Sequence, residues 1–308
     1  MRVEPAAPAK RLPNLLCLGA AKAGTTALAT IIAAHPDIFV PPQKELNALH
    51  YDDLDSRTEE YMAYFRDAGD AAVRCDFSVR YLSSPNAPAA AARLTPDARL
   101  LVILRNPVDQ IQSHYWHLRR QNFHQARPVH PAPDLFEALD LYPDLLLEPA
   151  LYGRHLERWL TLFPRERLLV IDHADMSRDL QGALARICEF TGVDRFDFTA
   201  AADQTSARDG RAGVQPRAGL AGRLFPLLYV GVSQGPYRWL KRKIGVERSD
   251  WLKRVLRLRE ASEALFFKSG YPRLDEVARR RLQARFEEDR QRLERLDLID
   301  TSHWRVAG

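Results

Sequence analysis

Cysteine is scarce in this chain. There are three in 308 residues, Cys17, Cys75 and Cys188, far apart and each set among apolar neighbours. An odd, scattered set excludes a disulfide framework, and no pair has the spacing of a metal site. The cysteines read as small core residues in a reducing compartment, which makes the cytoplasm the expected location. Long apolar runs are missing as well. No stretch of about 18 uncharged apolar residues occurs, so no helical membrane span is expected. The opening "MRVEPAAPAKRLP" lacks the apolar centre of a secretory signal, and residues 1–11 read as a disordered lead. No internal repeat is present.

What the chain does have is ordinary in amount and uneven in placement. A hydrophobic content of 46% and a charged content of 28% suit a soluble globular protein large enough to bury a sizeable core. The net charge of +5 and pI near 9.2 point to an anionic ligand or partner. The charge concentrates in "RWLKRKIGVERSDWLKRVLRLR" (Arg238–Arg259), with nine Lys/Arg against two acids. That stretch reads either as a solvated helical face or as a surface for anions or for peripheral membrane contact.

Three runs are nearly continuous in Leu, Val and Ile: Asn14–Gly19, Ala98–Arg105 and Glu166–Asp172. Ala71–Phe77 is a weaker fourth. Such runs suit strands of a parallel sheet covered on both faces. Helical periodicity lies between and after them, over Thr25–His35, Glu59–Asp67, Val108–Arg120, Tyr152–Phe163 and Leu180–Thr191. The alternation predicts a three-layer α/β fold with a central parallel sheet, whose ligands bind at the carboxyl ends of the strands. One domain is expected over 12–308: an α/β core over 12–200 and a basic, mainly helical extension over 201–308. In that extension Leu274–Leu296 reads as one amphipathic helix with Leu282, Phe286, Leu293 and Leu296 on its apolar face. Asn122–Asp134 reads as a long surface loop. Thr205–Arg223, rich in Gly and Arg, reads as a mobile segment near the site or as a plain linker.

Two segments carry chemistry. In "LLCLGAAKAGTTALATII" the glycines Gly19 and Gly24 have the spacing of a nucleoside-triphosphate loop, but Thr25 stands where that loop has its lysine. Lys22 lies inside the turn instead. A strand–turn–helix of this kind aims unpaired backbone N–H groups and the positive end of a helix dipole at an anion. Gly24 allows close backbone approach, and Thr25 and Thr26 add hydroxyls to the first helical turn. The second segment is "LLVILRNPVDQIQSHYWH" (Leu100–His117). Arg105 closes a strand, Asn106 and Pro107 suit a helix N-cap and first turn, and Asp109 can complete a capping box. Ser113 then lies about two turns into the helix. Arg105 and Ser113 make a second anion pocket, because a guanidinium binds phosphate oxygens in pairs. Taken singly, each segment also reads as a tight turn with an exposed lysine, or as simple capping.

Together, "KAGTTAL", "LRNPVDQIQSHYWH" and "PPQKEL" (Pro41–Leu46) resemble the sulfotransferase family that uses 3′-phosphoadenosine 5′-phosphosulfate (PAPS), in particular bacterial relatives of the heparan sulfate N- and O-sulfotransferases. "LERWLTLFPRERLLVI" and "RLERLDLIDTSHW" match in style, so the likeness runs along nearly the whole chain. It implies a P-loop NTPase-like sulfotransferase fold and in-line sulfuryl transfer to a hydroxyl or amine, possibly of a carbohydrate, with no metal. By that resemblance Lys22, Ala23, Gly24, Thr25 and Thr26 hold the donor's 5′-phosphate, and Lys22 stabilises the departing bridge oxygen. Arg105 and Ser113 hold the 3′-phosphate, and Glu45 is the base. Arg217, with Arg211, belongs to a segment that closes over the nucleotide in relatives.

The sequence departs from the family's pattern at three places. Asn47 stands where some relatives carry a histidine, leaving His50 as the nearest alternative partner for Glu45. Phe77 stands where several carry a catalytic lysine, and Val79 where they carry proline. Glu45 also reads as an ordinary surface carboxylate. His114, His117, His124 and His130 have no convincing metal geometry and read as surface or half-buried residues. Tyr229, Tyr237, Trp239 and Trp251 read as an acceptor cleft or as core. Two other functions remain in play. One is an ATP-dependent P-loop kinase, with Asp172 imitating a magnesium-binding aspartate. The other is a non-catalytic basic protein that binds a polyanion or nucleotide; no nucleic-acid motif accompanies the charge. The acceptor and the oligomeric state are not readable from the sequence.

Overall fold

The computed structural model describes residues 12–125, 134–209, 214–216 and 267–304. Arg211, Arg217, the basic segment Arg238–Arg259 and the four aromatic residues Tyr229, Tyr237, Trp239 and Trp251 lie outside the described residues. The chain divides into two compact units. The first takes in residues 12–111, 144–209 and 275–304, and the second takes in described parts of 112–143 and 210–274.

Five strands form the sheet of the first unit: β1 (Leu15–Gly19), β2 (Ile38–Phe39), β3 (Val73–Phe77), β4 (Arg99–Leu104) and β5 (Leu168–Asp172). Every pairing is parallel and the order is β2-β3-β1-β4-β5. β1 is buried along its whole length, and β4 is buried except at Arg99. Their unbroken apolar sequences follow from helices covering both faces. All four sequence-predicted strands are present. β2, two residues long, is too short to leave a periodic signal.

The described helices are α1 (Thr25–Ile32), α2 (Leu54–Ala63), α3 (Ala87–Leu94), α4 (Pro107–Gln125), α5 (Leu135–Leu141), α6 (Pro143–Leu146), α7 (Tyr152–Leu160), α8 (His173–Arg178), α9 (Leu180–Thr191), α10 (Thr199–Asp209), α11 (Glu276–Ala284) and α12 (Glu287–Leu296). α9 has the predicted bounds because both ends are marked. Asp179 accepts from Gly182 N–H at 2.8 Å at the start, and Gly192 turns left-handed at φ 80° at the end. α2 starts five residues before the expected Glu59, because Leu54 and Tyr61 are the positions it buries. α4 begins in the first unit and continues through Gln125, so the expected loop from Asn122 starts later. α10 includes Thr205, where a mobile segment or linker was expected to begin. In the second unit, β6 (Val214–Pro216) pairs antiparallel with β7 (Phe267–Ser269), and Gln112 Nε2 donates to Pro272 O at 2.5 Å. Among the described residues no helix is long and apolar enough to cross a membrane.

The expected single helix over Leu274–Leu296 is two. Arg285 N–H bonds Leu282 O and Phe286 N–H bonds Gln283 O, tightening the turn until Phe286 leaves the helix and drops into the core. Leu282 and Leu293 are buried as expected, and Leu296 packs against the core's edge. The break lets α12 lie close against α7. A Cβ on Gly153 would stand 2.4 Å from Asp289 O, so only glycine fits that crossing. The buried Asp289 carboxylate accepts from the N–H groups of Gly153 (2.9 Å) and Arg154 (2.8 Å), capping α7 from 135 residues away. Asp289→Ala removes that cap and is expected to cost about 1–2 kcal/mol. A urea unfolding curve with a lower midpoint and unchanged slope checks it.

Candidate active site

Strand order alone places the site. β1 sits between β3 and β4, and the chain leaves it toward opposite edges of the sheet, so the crevice opens at β1's carboxyl end. There Gly19 turns into the loop that leads to α1. Lys22 takes a left-handed backbone at φ 65°, and Gly24 does so at φ 84° as the N-cap of α1. No side chain caps α1, so its first-turn N–H groups face outward for an anion. A Cβ at Gly24 would meet Met176 Cε at 3.1 Å, in a conformation that L side chains rarely adopt. Ala23 and Thr25 are buried, Lys22 is half-buried and Thr26 is exposed.

Arg105 stands at the end of the neighbouring strand, as expected. Its Nη1 donates to Lys22 O at 2.9 Å, and Gln110 Nε2 on α4 donates to Ala21 O at 3.2 Å. The two sequence segments therefore meet through direct bonds. Asn106 caps α4, with Val108 N–H at 3.0 Å from its Oδ1. Asp109 does not close a capping box. Its carboxylate accepts from Arg279 Nη1 at 2.8 Å, because α11 brings a stronger, charged donor within reach. Ser113 lies further along α4, half-buried, in the second unit.

The third segment approaches from β3. Glu45 has φ 60°, and its N–H bonds Phe77 O at 3.0 Å. Its Oε2 accepts from Val79 N–H at 3.0 Å. Lys44 extends over the Phe77 ring, 5.9 Å from the centroid. Its Nζ donates to Thr26 Oγ1 at 2.7 Å and lies 3.7 Å from Glu45 Oε1. Burial pushes the Glu45 carboxyl up, against the opposing pull of Lys44 and the Val79 N–H, and burial lowers Lys44. Beneath them Asp76 is fully buried. It accepts from Tyr61 OH and Tyr81 OH at 2.7 Å each and from Ser78 Oγ at 2.6 Å. Ser78 Oγ in turn accepts Asn47 N–H at 3.0 Å, so the buried carboxylate braces the turn that carries Glu45.

The family model for the sulfotransferase domain matches residues 12–206. The chain belongs to the sulfotransferase family. It is 32% identical over 201 residues to human "Bifunctional heparan sulfate N-deacetylase/N-sulfotransferase 3", an alignment covering 59% of this chain and 22% of that protein. It is equally 32% identical over 200 residues to mouse "Bifunctional heparan sulfate N-deacetylase/N-sulfotransferase 4", with 59% and 22% covered. The chain thus spans 22% of the length of these curated relatives. A solved sulfotransferase from Alicyclobacillus acidocaldarius has the same fold, with a TM-score of 0.64 at 23% identity over 96% of this chain and 99% of that one.

Within the sulfotransferase domain, Asp172 is not a metal ligand but a structural cap. Its Oδ1 accepts from Ala174 and Asp175 N–H, and its Oδ2 accepts from Trp304 Nε1 at 2.9 Å with His303 Nε2 at 3.3 Å. All its oxygens face donors, which removes the feature behind the kinase alternative. His50 does not partner Glu45; its Nε2 sits 2.8 Å from Arg80 Nη2. Asn47 spends its amide on the carbonyl of Glu45 itself, at 2.8 Å. The cation beside Glu45 is Lys44, which the sequence reading passed over although it adjoins Glu45 in "PPQKEL". The positive-φ turn at Glu45 and Asn47, which folds the lysine back toward α1, has no sequence signature. A cavity of about 230 Å³ opens beside Gly24, lined by Ala27, Ile31, His173, Met176 and Thr205 among others. Burial and Arg105 keep the His173 ring below its usual pKa and so neutral near pH 7.

Asp76→Ala would leave two tyrosine hydroxyls and Ser78 without their acceptor. The expected loss is at least about 2 kcal/mol of stability, read as a lowered midpoint in chemical denaturation, with activity falling further because Glu45 loses its brace.

Proposed function

We propose that this domain transfers a sulfuryl group from PAPS to a hydroxyl or amine of a glycan or small-molecule acceptor. The observation that carries the reading is the joining of three segments at one strand end: Arg105 to Lys22, and Lys44 to both Thr26 and Glu45. An anion bound at the uncapped start of α1 lies between a phosphate-type loop and a carboxylate with a raised pKa. Lys22, Ala23, Gly24, Thr25 and Thr26 hold the 5′-phosphate. Arg105 holds the 3′-phosphate, the group that separates this donor from ATP; Ser113 and Arg217 are assigned to the nucleotide by the family resemblance alone. The cavity beside Gly24 has the apolar lining and the neutral His173 ring suited to a purine base.

The donor supplies an activated sulfuryl group; the chain's residues align the reactants and stabilise charge. Glu45 receives the acceptor's proton, for which its carboxylate must be ionised. Lys22 and the α1 N-terminus stabilise negative charge on the leaving phosphate. No residue needs to form a covalent bond. The relatives' names, which specify an N-sulfotransferase acting on heparan sulfate, support a glycan acceptor. Three free, buried cysteines support a reducing, cytoplasmic location, with Cys17 pushed up to about 12 by burial and so kept protonated.

Calorimetry with adenosine 3′,5′-bisphosphate, followed by a labelled-sulfate screen over acceptor classes, tests the reading. Lys22→Ala is expected to lower kcat by about 10²–10³-fold, and Arg105→Ala chiefly to weaken nucleotide binding. Unchanged activity in both variants overturns the site. Glu45→Gln is expected to lower kcat while sparing nucleotide affinity. Because the Glu45 carboxyl is raised, it stays protonated to higher pH than a free glutamate. The acid limb of the kcat profile is therefore expected above about 4.3, the value of a free glutamate.

A further inference from the structure

Lys44 touches both halves of the site. Its ammonium is 2.7 Å from Thr26 Oγ1 and 3.5 Å from Thr25 Oγ1, on the helix turn that takes the donor's 5′-phosphate. It is 3.7 Å from Glu45 Oε1, the oxygen left over when Val79 N–H binds Oε2. A lysine serving only as a counter-ion would make its shortest contact with the carboxylate. Here the shortest contact is with a neutral hydroxyl, and the carboxylate stands an ångström further off. The side chain is 22% exposed and lies over the Phe77 ring, so the charge is fixed and partly withdrawn from water. In an in-line transfer the leaving oxygen, the sulfur and the entering atom share one axis. With the 5′-phosphate on the α1 turn and the base at Glu45, the two ends of that axis are the two groups that Lys44 contacts.

We propose that Lys44 is the catalytic cation that holds the sulfuryl oxygens while sulfur passes from donor to acceptor. The inference rests on the PAPS reading and gives the sulfuryl group itself a binding partner. In the step, the acceptor oxygen or nitrogen bonds to sulfur as the bond from sulfur to the bridging oxygen breaks. The electron pair of that bond stays on the 5′-phosphate, and the acceptor's proton goes to Glu45. The non-bridging sulfuryl oxygens carry negative charge throughout. An ammonium has three donors: the short bond goes to Thr26, and the contacts to Thr25 at 3.5 Å and Glu45 at 3.7 Å are long enough to be shared with those oxygens. The same charge favours the ionised form of Glu45, against burial and against the buried Asp76 on β3. Cys17 on β1 also faces the pair. Lys22 and Lys44 thereby divide the work, one on the oxygen that leaves and one on the group that moves.

The test compares two nucleotides that differ only in the sulfuryl group. Lys44→Met keeps the stem and removes the charge, and a thermal melt confirms its fold. It is expected to bind adenosine 3′,5′-bisphosphate as wild type does, to lose about tenfold or more in affinity for PAPS measured without acceptor, and to lose about 10²-fold in kcat. Its acid limb should move to higher pH, since Glu45 loses the charge that favours ionisation. Lys44→Arg should restore part of kcat and return the acid limb. Wild-type kcat in Lys44→Met overturns the proposal. Equal weakening toward both nucleotides also overturns it, by assigning Lys44 to the phosphate instead. Wild-type protein that takes up neither nucleotide is a different result: it removes the PAPS reading, and this proposal with it.

Discussion

One bond from a guanidinium to a carbonyl organises the site. Arg105 Nη1 reaches Lys22 O, so the strand end that bears the second anion segment also fixes the crest of the first. The loop is held on its other flanks too, by Ala20 N–H to Ile103 O and by Leu82 N–H to Leu18 O. Such over-determination is what keeps a non-glycine residue at φ 65°. The left-handed turns at Lys22 and Glu45 are thus a property of the whole sheet edge rather than of their own short sequences. The Arg105 side chain is thus itself part of the wall of this crevice.

Strand β3 contributes in a different way. Its last residues place Asp76 under the floor of the site, where a carboxyl raised by burial is satisfied by three hydroxyls. Tyr61 comes from α2, Tyr81 from the turn after β3, and Ser78 passes the constraint to Asn47. The Glu45 carboxylate is therefore held by a network of polar groups, and the loop at Lys22 by main-chain geometry. The two halves are built from different materials and joined by the side chain of Lys44.

Much of this was legible in the chain. The runs at Leu15, Leu100 and Leu168 are buried on both faces, and that condition writes itself into sequence as unbroken aliphatic residues. α9 carried its own punctuation in Asp179 and Gly192. The strand–turn–helix at Gly19–Thr25 and the place of Arg105 at a strand end were legible because main-chain geometry demands particular residues at particular steps. What escaped depended on contacts across long separations. Lys44, passed over in "PPQKEL", is brought to α1 by a turn with no sequence signature. Asp109 was claimed by Arg279, 170 residues away, before it could serve its own helix. The helix over Leu274–Leu296 broke because Phe286 gains more from the core than the helix gains from continuity.

Asp172, at the far end of β5, receives Trp304 across 132 residues, and Asn106 at the start of α4 donates to the carbonyl of the same tryptophan. These partners lie 132 and 198 residues apart in the chain. Closure of this edge of the sheet therefore rests on long-range contacts, which cost more chain entropy to form than a local helix does.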